Sequence, residues 1–493
     1  MGAIEKDDNS LPYTLFPVKQ SNGTISYYCS DFSEELGHQV YKGYPCSLNQ
    51  PAASGLTPSR IEKEKLAINK QEPVAIKVYD GEQQPSLYQY YASEIAVLTI
   101  EDRDVLIMDY IEGFHITPEL NDNSPIKQLT FFQAVDLAWQ LILGLNHLHY
   151  NNLSGLPIVH GDITGNNVKI RNKELIIDGR TVRKMDALYL DLDFAKRITD
   201  TYQAPQGTPE HLALEVLDGI YSEASDFFAL TPLLLSLFGA HNPFQAIIEF
   251  RNSHESLEKT ELIKKFRDIP FCTEGLFSHF DKKPELSVLA LLERFIMQMG
   301  AKERKSRPMS NTILEFFTAL RQLCLINPSD TERDFYLLRL DIAAQSENWL
   351  TKPQSFQRFL DLESNIQDRL IGLMNSSICL LLYRRAKEYN AAPELIERLR
   401  NSLADHLSEK SRLLQPPSRF KSIFFSSVTQ GDIQWLLHCY KHNELDTFNA
   451  PANEKLKSKL VHCSELSIAP FISAVIEGIK KPLEPLLTLN MPS

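Results

Sequence analysis

The chain has 493 residues, 43% of them hydrophobic and 23% charged, which excludes a disordered or fibrous protein and allows two or three domains with real cores. Its formal net charge of −12 repels a polyphosphate backbone, so nucleic acid is not an expected partner. Seven scattered cysteines without CxxC pairs suit a reducing compartment rather than a disulfide framework or a zinc site, and no apolar run approaches the ~18 residues of a membrane span.

Met1 to Ser10 is polar, so no secretory peptide is expected. Leu11 to Tyr44, rich in Tyr, Val, Ile and Phe with interspersed glycines, predicts short strands and turns. Asn49 to Lys70 mixes Pro, Ser, Gly and Lys and reads as a loop or insertion. Val74-Ala75-Ile76-Lys77-Val78-Tyr79 is a strand around one lysine, and a lysine buried in mid-strand needs a charged partner or ligand; an exposed strand lysine is the alternative. Leu87 to Leu98 reads as a short helix carrying Glu94, and Val105 to Gly113 as an apolar strand leaving into a connector.

Thr130 can cap a helix whose apolar positions Val135, Ala138, Ile142 and Leu145 recur at helical spacing. His147 and His149 do not share a helix face, so they are not expected to ligate a metal together. Residues 223–239 are almost wholly apolar beyond Asp226 and predict a buried central helix; Leu286 to Met299 and Asn311 to Leu320 predict further helices, the second capped by Ser310. Thr331 to Leu414 reads as amphipathic helices. Pro416-Pro417-Ser418 marks a boundary before two helix pairs with glycines at their turns.

Chemistry concentrates between residues 160 and 193. His160-Gly161-Asp162-Ile163-Thr164-Gly165-Asn166-Asn167 and Leu190-Asp191-Leu192-Asp193-Phe194-Ala195 set carboxylates and a carboxamide at the ends of short apolar strands. Phosphoryl transfer from a nucleotide needs such a set: one Asp to orient the acceptor hydroxyl, and an Asn and a second Asp to hold Mg²⁺ against the phosphates.

With these pieces in order, residues ~30 to 320 resemble the eukaryotic-type Ser/Thr protein kinase catalytic domain. The resemblance implies an α+β bilobal fold, a small β-rich N-lobe and a mainly helical C-lobe, followed by an all-α C-terminal domain. The implied boundaries are 1–29 for an N-terminal extension, 30–111 and 112–325 for the lobes, 326–415 for a helical region and 416–493 for an ankyrin-like or helical repeat. Lys77 resembles the V-A-I-K lysine that contacts the α and β phosphates. Its helix partner would be Glu94, with Glu82 as rival, although only 14 positions separate Glu94 from Met108. Met108 resembles the gatekeeper, and Asp109, Tyr110 and Ile111 the hinge that binds adenine through its backbone. Asp162 takes the catalytic-base position of H-R-D-x-x-x-x-N, Asn167 its metal position, and Asp193 the D-F-G metal position. The same resemblance pairs Glu215, in Ala213-Leu214-Glu215, with Arg307 and sets Asp226 on the catalytic-loop backbone. ATP and Mg²⁺ are the implied cofactors, with Mn²⁺ as the alternative ion, and a protein the implied substrate.

Four departures stand out. Gly161 replaces the arginine of H-R-D, so phosphorylation at Thr199, Thr201 or Tyr202 need not switch the enzyme. Thr164 stands where a phosphate-binding lysine is usual. Glu35 to Gly43 keeps Gly37 and Val40 of the glycine-rich loop but lacks its middle glycines. Asn167 and Asp193 are 26 positions apart, which makes Arg171 to Met185 an insertion read as an extended hairpin. A small-molecule kinase of the aminoglycoside phosphotransferase type and a non-catalytic scaffold are the competing readings. The C-terminal Gly431-Asp432 and Ala474 to Leu487 resemble one or two ankyrin-type repeats, which implies protein binding. Kinase and repeats together resemble effector kinases that intracellular bacteria deliver into host cytoplasm; cytoplasmic residence is the expectation either way.

Overall fold

A computed structural model describes residues 13–412 apart from 21, 38, 50–58, 80–93, 101–102, 117–123, 151–156, 178–179, 199–204, 255, 325–327, 347 and 375. The ankyrin-like stretch 416–493, Glu82 and the segment holding Thr199, Thr201 and Tyr202 lie outside these residues. The chain divides into two units, Met1–Lys283 with Ile296–Ser310, and Pro284–Phe295 with Asn311–Ser493.

The first unit opens with strands β1 (Tyr13–Lys19), β2 (Ile25–Ser30), β3 (Glu35–Gly37), β4 (Val40–Leu48), β5 (Ser59–Ile61), β6 (Leu66–Ile68), β7 (Val74–Val78), β8 (Glu94–Ile100) and β9 (Arg103–Asp109). They form one nine-stranded sheet in the order β5-β1-β2-β4-β7-β9-β8, with β3 and β6 also pairing β4. The described residues from Tyr13 to Ser30, expected to lie in an N-terminal extension, supply β1 and β2 of this sheet. The stretch expected to be a loop over 49–70 likewise contributes β5 and β6.

Alternation explains how the sheet is filled. Phe16, Val18, Val74, Ile76, Val105 and Ile107 share one apolar cluster, each pair two positions apart on its strand, whereas Tyr13, Leu15, Cys29 and Leu66 share another. On β7 the same period turns Lys77 away from Ile76, to the face where Tyr79 packs with Leu106 and Met108. Gly43 lies where β4 changes partners from β7 to β2; a Cβ there would sit 2.3 Å from Ile76 Cδ1.

The helix expected over 87–98 is corrected in its described part, 94–98; residues 87–93 lie outside the described residues. Glu94 to Ile100 is strand β8, with Glu94 opposite Met108 in the ladder. Ile95, Val97, Thr99 and Ile100 are β-branched, and pairing along the whole of β9 outweighs the weak helical periodicity of so short a window.

Beyond β9 come β10 (Phe114–His115), helix α1 (Phe131–Tyr150), β11 (Ile158–Val159), the hairpin β12 (Val168–Ile177) and β13 (Arg180–Tyr189), and β14 (Lys196–Arg197), which pairs with β11. The expected inserted hairpin is thus present as ten-residue strands in register from Val168↔Tyr189 to Ile177↔Arg180. Helices α2 (Glu223–Leu237), α3 (Gln245–Ser253), α4 (Lys259–Phe266), α5 (Leu286–Met299) and α6 (Ser310–Leu323) follow. Thr130 caps α1 by accepting from Gln133 N at 3.2 Å. All of α2 from Ser225 to Leu237 is buried, as its apolar run requires.

The described residues of the second unit are mainly helical, continuing with α7 (Asp330–Ala343), α8 (Asn348–Thr351), α9 (Pro353–Leu360), α10 (Ser364–Leu373), α11 (Ser376–Glu388) and α12 (Pro393–Arg412). Trp349, Phe356, Phe359, Leu382 and Leu399 anchor its core. Ser329 and Glu332 form a capping box on α7. Among the described residues no helix is long and apolar enough to cross a membrane.

Candidate active site

Lys77 is buried, and its ammonium is compensated twice: Nζ lies 2.8 Å from Asp191 Oδ1 and 2.5 Å from Asp193 Oδ2. Tyr79, two positions on along the same face, donates its hydroxyl to Asp193 Oδ1 at 3.0 Å. Asp193 N donates to Asp191 Oδ1 at 3.2 Å, closing the turn between the two acids. Asp191 has φ +60°, a left-handed backbone that Asp tolerates better than most residues, and buried Leu192 packs against Ile158 and Ala195 behind it. The lysine therefore has carboxylate partners more than a hundred positions away and is not the exposed strand lysine of the alternative reading.

The loop after β11 is tied down by one buried acid on α2. Asp226 accepts from His160 N at 2.7 Å, Gly161 N at 3.0 Å and His149 Nε2 at 2.9 Å. His149 thus serves α2 from the last turn of α1, and His160 Nε2 pairs with the Leu190 carbonyl at 3.0 Å. Gly161 is a backbone requirement: φ is +78° and a Cβ would sit 2.4 Å from the Phe194 carbonyl oxygen, which leaves no room for arginine.

Asp162 projects from this loop with both oxygens oriented. Oδ1 accepts from Thr208 N at 2.8 Å and Thr208 Oγ1 at 3.0 Å; Oδ2 accepts from Asn167 Nδ2 at 3.1 Å. Asn167 Nδ2 also donates to the Asp162 carbonyl at 2.9 Å, and Asn167 O accepts from Leu190 N at 2.8 Å, so the carboxamide sits between the two acidic stretches with its Oδ1 unspent. Gly207 makes the approach of Thr208 possible, with φ +97° and a would-be Cβ 2.8 Å from Gly161 O.

These groups offer a divalent cation hard oxygen donors, Asn167 Oδ1 and the aspartate oxygens. Among the described residues there is no group of three or more His, Cys, Asp or Glu able to cage a metal alone.

A protein kinase domain model matches residues 63–317, just over half of the chain. The chain belongs to the protein kinase family. Curated relatives include calcium-dependent protein kinase 4 of Plasmodium falciparum, 25% identical over 218 residues that cover 43% of this chain and 35% of the relative. The cAMP-dependent protein kinase catalytic subunit of Dictyostelium discoideum is 28% identical over 145 residues, 29% of this chain and 19% of that protein. The chain thus matches about a third or less of the length of these relatives. Among solved structures, the PK-1 kinase of Cydia pomonella granulovirus aligns over 61% of this chain and 93% of its own at a TM-score of 0.38 and 15% identity.

Within this kinase domain the remaining expected positions are easily placed. Gly37 ends β3 with φ +124° and open space at its Cβ position, and Val40 begins β4 opposite Lys77. Residues 38 and 39 are all that separate β3 from β4, a connection too short to hold the middle glycines of the expected glycine-rich loop. Met108 lies across from Ala75 on the lysine's face, and Asp109, Tyr110 and Ile111 lead out of β9. The Tyr110 ring lies under Lys42 Nζ at 5.2 Å and Lys169 Nζ at 5.5 Å from its centroid.

Glu94 lies on strand β8 rather than on a helix, and Lys77 Nζ contacts the carboxylates of Asp191 and Asp193. Asp191 and Tyr79 are the site residues that motif reading missed. Both had a visible signal: Asp191 in the D-x-D spacing, Tyr79 in the two-residue period from Lys77.

The anchor after the catalytic segment is strongly built. Arg307 Nη1 and Nη2 reach Glu215 Oε1 at 2.6 Å and Oε2 at 3.1 Å. His211 donates Nδ1–H to the Ala229 carbonyl at 3.2 Å, and burial holds its pKa down at about 4, so the imidazole is neutral. Lys196 pairs with Gln206 and lies 4.7 Å from the Tyr221 centroid; burial pulls its pKa down to about 8.

Proposed function

We propose that the protein is an ATP-dependent kinase that transfers the γ-phosphoryl group to Ser or Thr hydroxyls of protein substrates, assisted by Mg²⁺ or Mn²⁺. The observation that carries this reading is the double contact of Thr208, backbone and hydroxyl, on Asp162 Oδ1. It ties the substrate-facing segment to the carboxylate that must orient the acceptor. The buried Glu215–Arg307 pair supports a protein rather than an amino-sugar as acceptor, because it anchors a peptide-docking segment beside that carboxylate.

Asp162, held by Thr208 and Asn167, orients the attacking hydroxyl and takes up its proton as the bond forms. Lys77 places its charge on the α and β phosphates. The hinge 108–111 presents backbone groups to adenine, and the Gly37 to Val40 hairpin covers the phosphates. Asn167 and an aspartate of Asp191-Leu192-Asp193 would hold the metal, which, when bound, would neutralise charge developing on the transferred phosphoryl group. Thr164 supplies no cation, so among this chain's own groups Lys77 would carry that task. The C-terminal 416–493 is proposed as an ankyrin-like protein-binding segment, and the compartment as cytoplasm, a bacterium's host included.

Incubation with γ-labelled ATP, Mg²⁺ and generic protein substrates, beside Asp162→Ala and Asp193→Ala, tests this. Phosphoserine or phosphothreonine lost in both variants is the expected result. Label on amino-sugars alone would favour a small-molecule phosphotransferase, and thermal stabilisation by nucleotide without transfer would favour a scaffold.

A further inference from the structure

Two acids contact one buried lysine, and they are not equivalent. Asp193 has both carboxylate oxygens engaged by the protein, Oδ2 by Lys77 Nζ at 2.5 Å and Oδ1 by the Tyr79 hydroxyl at 3.0 Å, and its side chain is 17% exposed. Asp191 is 30% exposed; Oδ1 takes Lys77 Nζ at 2.8 Å and Asp193 N at 3.2 Å, while Oδ2 has no partner among the described residues. The left-handed backbone at Asp191, φ +60°, is costly in a non-glycine residue. Such a cost is retained where a side chain must be aimed, and the Leu190 N bond to Asn167 O holds that turn beside the unspent Asn167 Oδ1.

We infer a division of labour: Asp191 with Asn167 takes the divalent cation, whereas Asp193, clamped by Tyr79, is a positioning residue that serves as the standing counter-ion of Lys77. The inference rests on the kinase reading and deepens it. Charge balance agrees: two carboxylates around one ammonium leave a net negative charge, which a divalent cation at Asp191 reverses while Lys77 keeps its partner. Asp193 then does for the lysine what an acid on a neighbouring helix would otherwise do, and β8 supplies no such helix at Glu94.

The test uses the full-length protein with Mn²⁺ and ADP, following bound Mn²⁺ by electron paramagnetic resonance and labelling of Lys77 by a lysine-acylating nucleotide analogue. Asp191→Asn is expected to weaken Mn²⁺ binding by at least about tenfold. Asp193→Asn is expected to leave Mn²⁺ affinity within a few-fold but to lower Lys77 labelling and raise the ATP KM; Asp193→Glu restores labelling in part, and Tyr79→Phe gives a weaker form of the same defect. Thermal melts of each variant control for folding. Wild-type binding that is lost in Asp193→Asn and kept in Asp191→Asn would overturn the division alone. Wild-type protein that holds neither Mn²⁺ nor ADP would overturn the kinase reading and the division with it.

Discussion

Removing the carboxylate of Glu215 should be among the most damaging changes outside the nucleotide site. Arg307 has a side chain only 1% exposed and Glu215 one 10% exposed, so the ion pair is out of water. Besides Glu215, the guanidinium donates to the carbonyls of Ala301 at 2.7 Å, Lys302 at 3.0 Å and Ala224 at 3.2 Å, and it stacks on Phe228 at 4.7 Å. Glu215→Ala leaves these but strands the charge, and it also removes the acceptor of Ser225 Oγ at 3.1 Å. Breaking one side of a buried pair costs about 3–5 kcal/mol, and the surviving carbonyls put this case near about 3. For a unit of this size that is a fall of about 5 °C in Tm, read by calorimetry. Glu215→Leu combined with Arg307→Met should recover much of the loss, since no charge is then left unpaired. A single variant that loses less than about 1 kcal/mol would refute the reasoning, because that is the scale of a solvent-exposed pair.

Other outcomes follow from the same geometry. Gly161→Ala should destabilise by about 1–3 kcal/mol, from a left-handed φ and a Cβ 2.4 Å from Phe194 O, and urea titration measures it. Thr208→Val keeps the backbone bond to Asp162 but loses the hydroxyl bond at 3.0 Å; about 1 kcal/mol of orientation corresponds to a roughly five- to tenfold fall in kcat/KM, which Thr208→Ser should largely restore. Acidification should destabilise the fold through His211. It stays neutral in the folded state down to about 4, whereas the unfolded chain protonates it near the ordinary 6.5. Stability is then lost as pH falls from about 6.5 towards 4, by up to about 3 kcal/mol, and His211→Gln should flatten that part of the profile. The charged groups facing His211 are Asp162, Glu210 and Arg267.

The kinase fold was legible where chemistry and periodicity coincide. The apolar run before Lys77, the helix capped at Thr130, the buried run after Asp226 and the inserted hairpin all appear where pattern placed them. Strands β5 and β6 were not legible, since three-residue strands inside Pro- and Lys-rich text give no periodic signal. The error at Glu94 has a different source: β8 exists because β9 offers a long edge, a tertiary effect that a short window does not contain. Within the site, the reason for Gly161 and the hold of Thr208 on Asp162 depend on loops separated by dozens of residues. The pairing of Lys77 with both aspartates spans 114 positions in one case, and only the folded chain shows it.

The most direct test of the account is the rate of γ-phosphoryl transfer from Mg²⁺-ATP to protein hydroxyls by the wild type and by Asp162→Asn, an isostere that removes the carboxylate's charge and basicity and replaces one of its two acceptor oxygens. Orientation and proton acceptance by Asp162 predict a loss of about 10²–10⁴-fold with ATP binding intact. Equal transfer rates in the two proteins, or a wild type that binds ATP yet phosphorylates no protein, would contradict it.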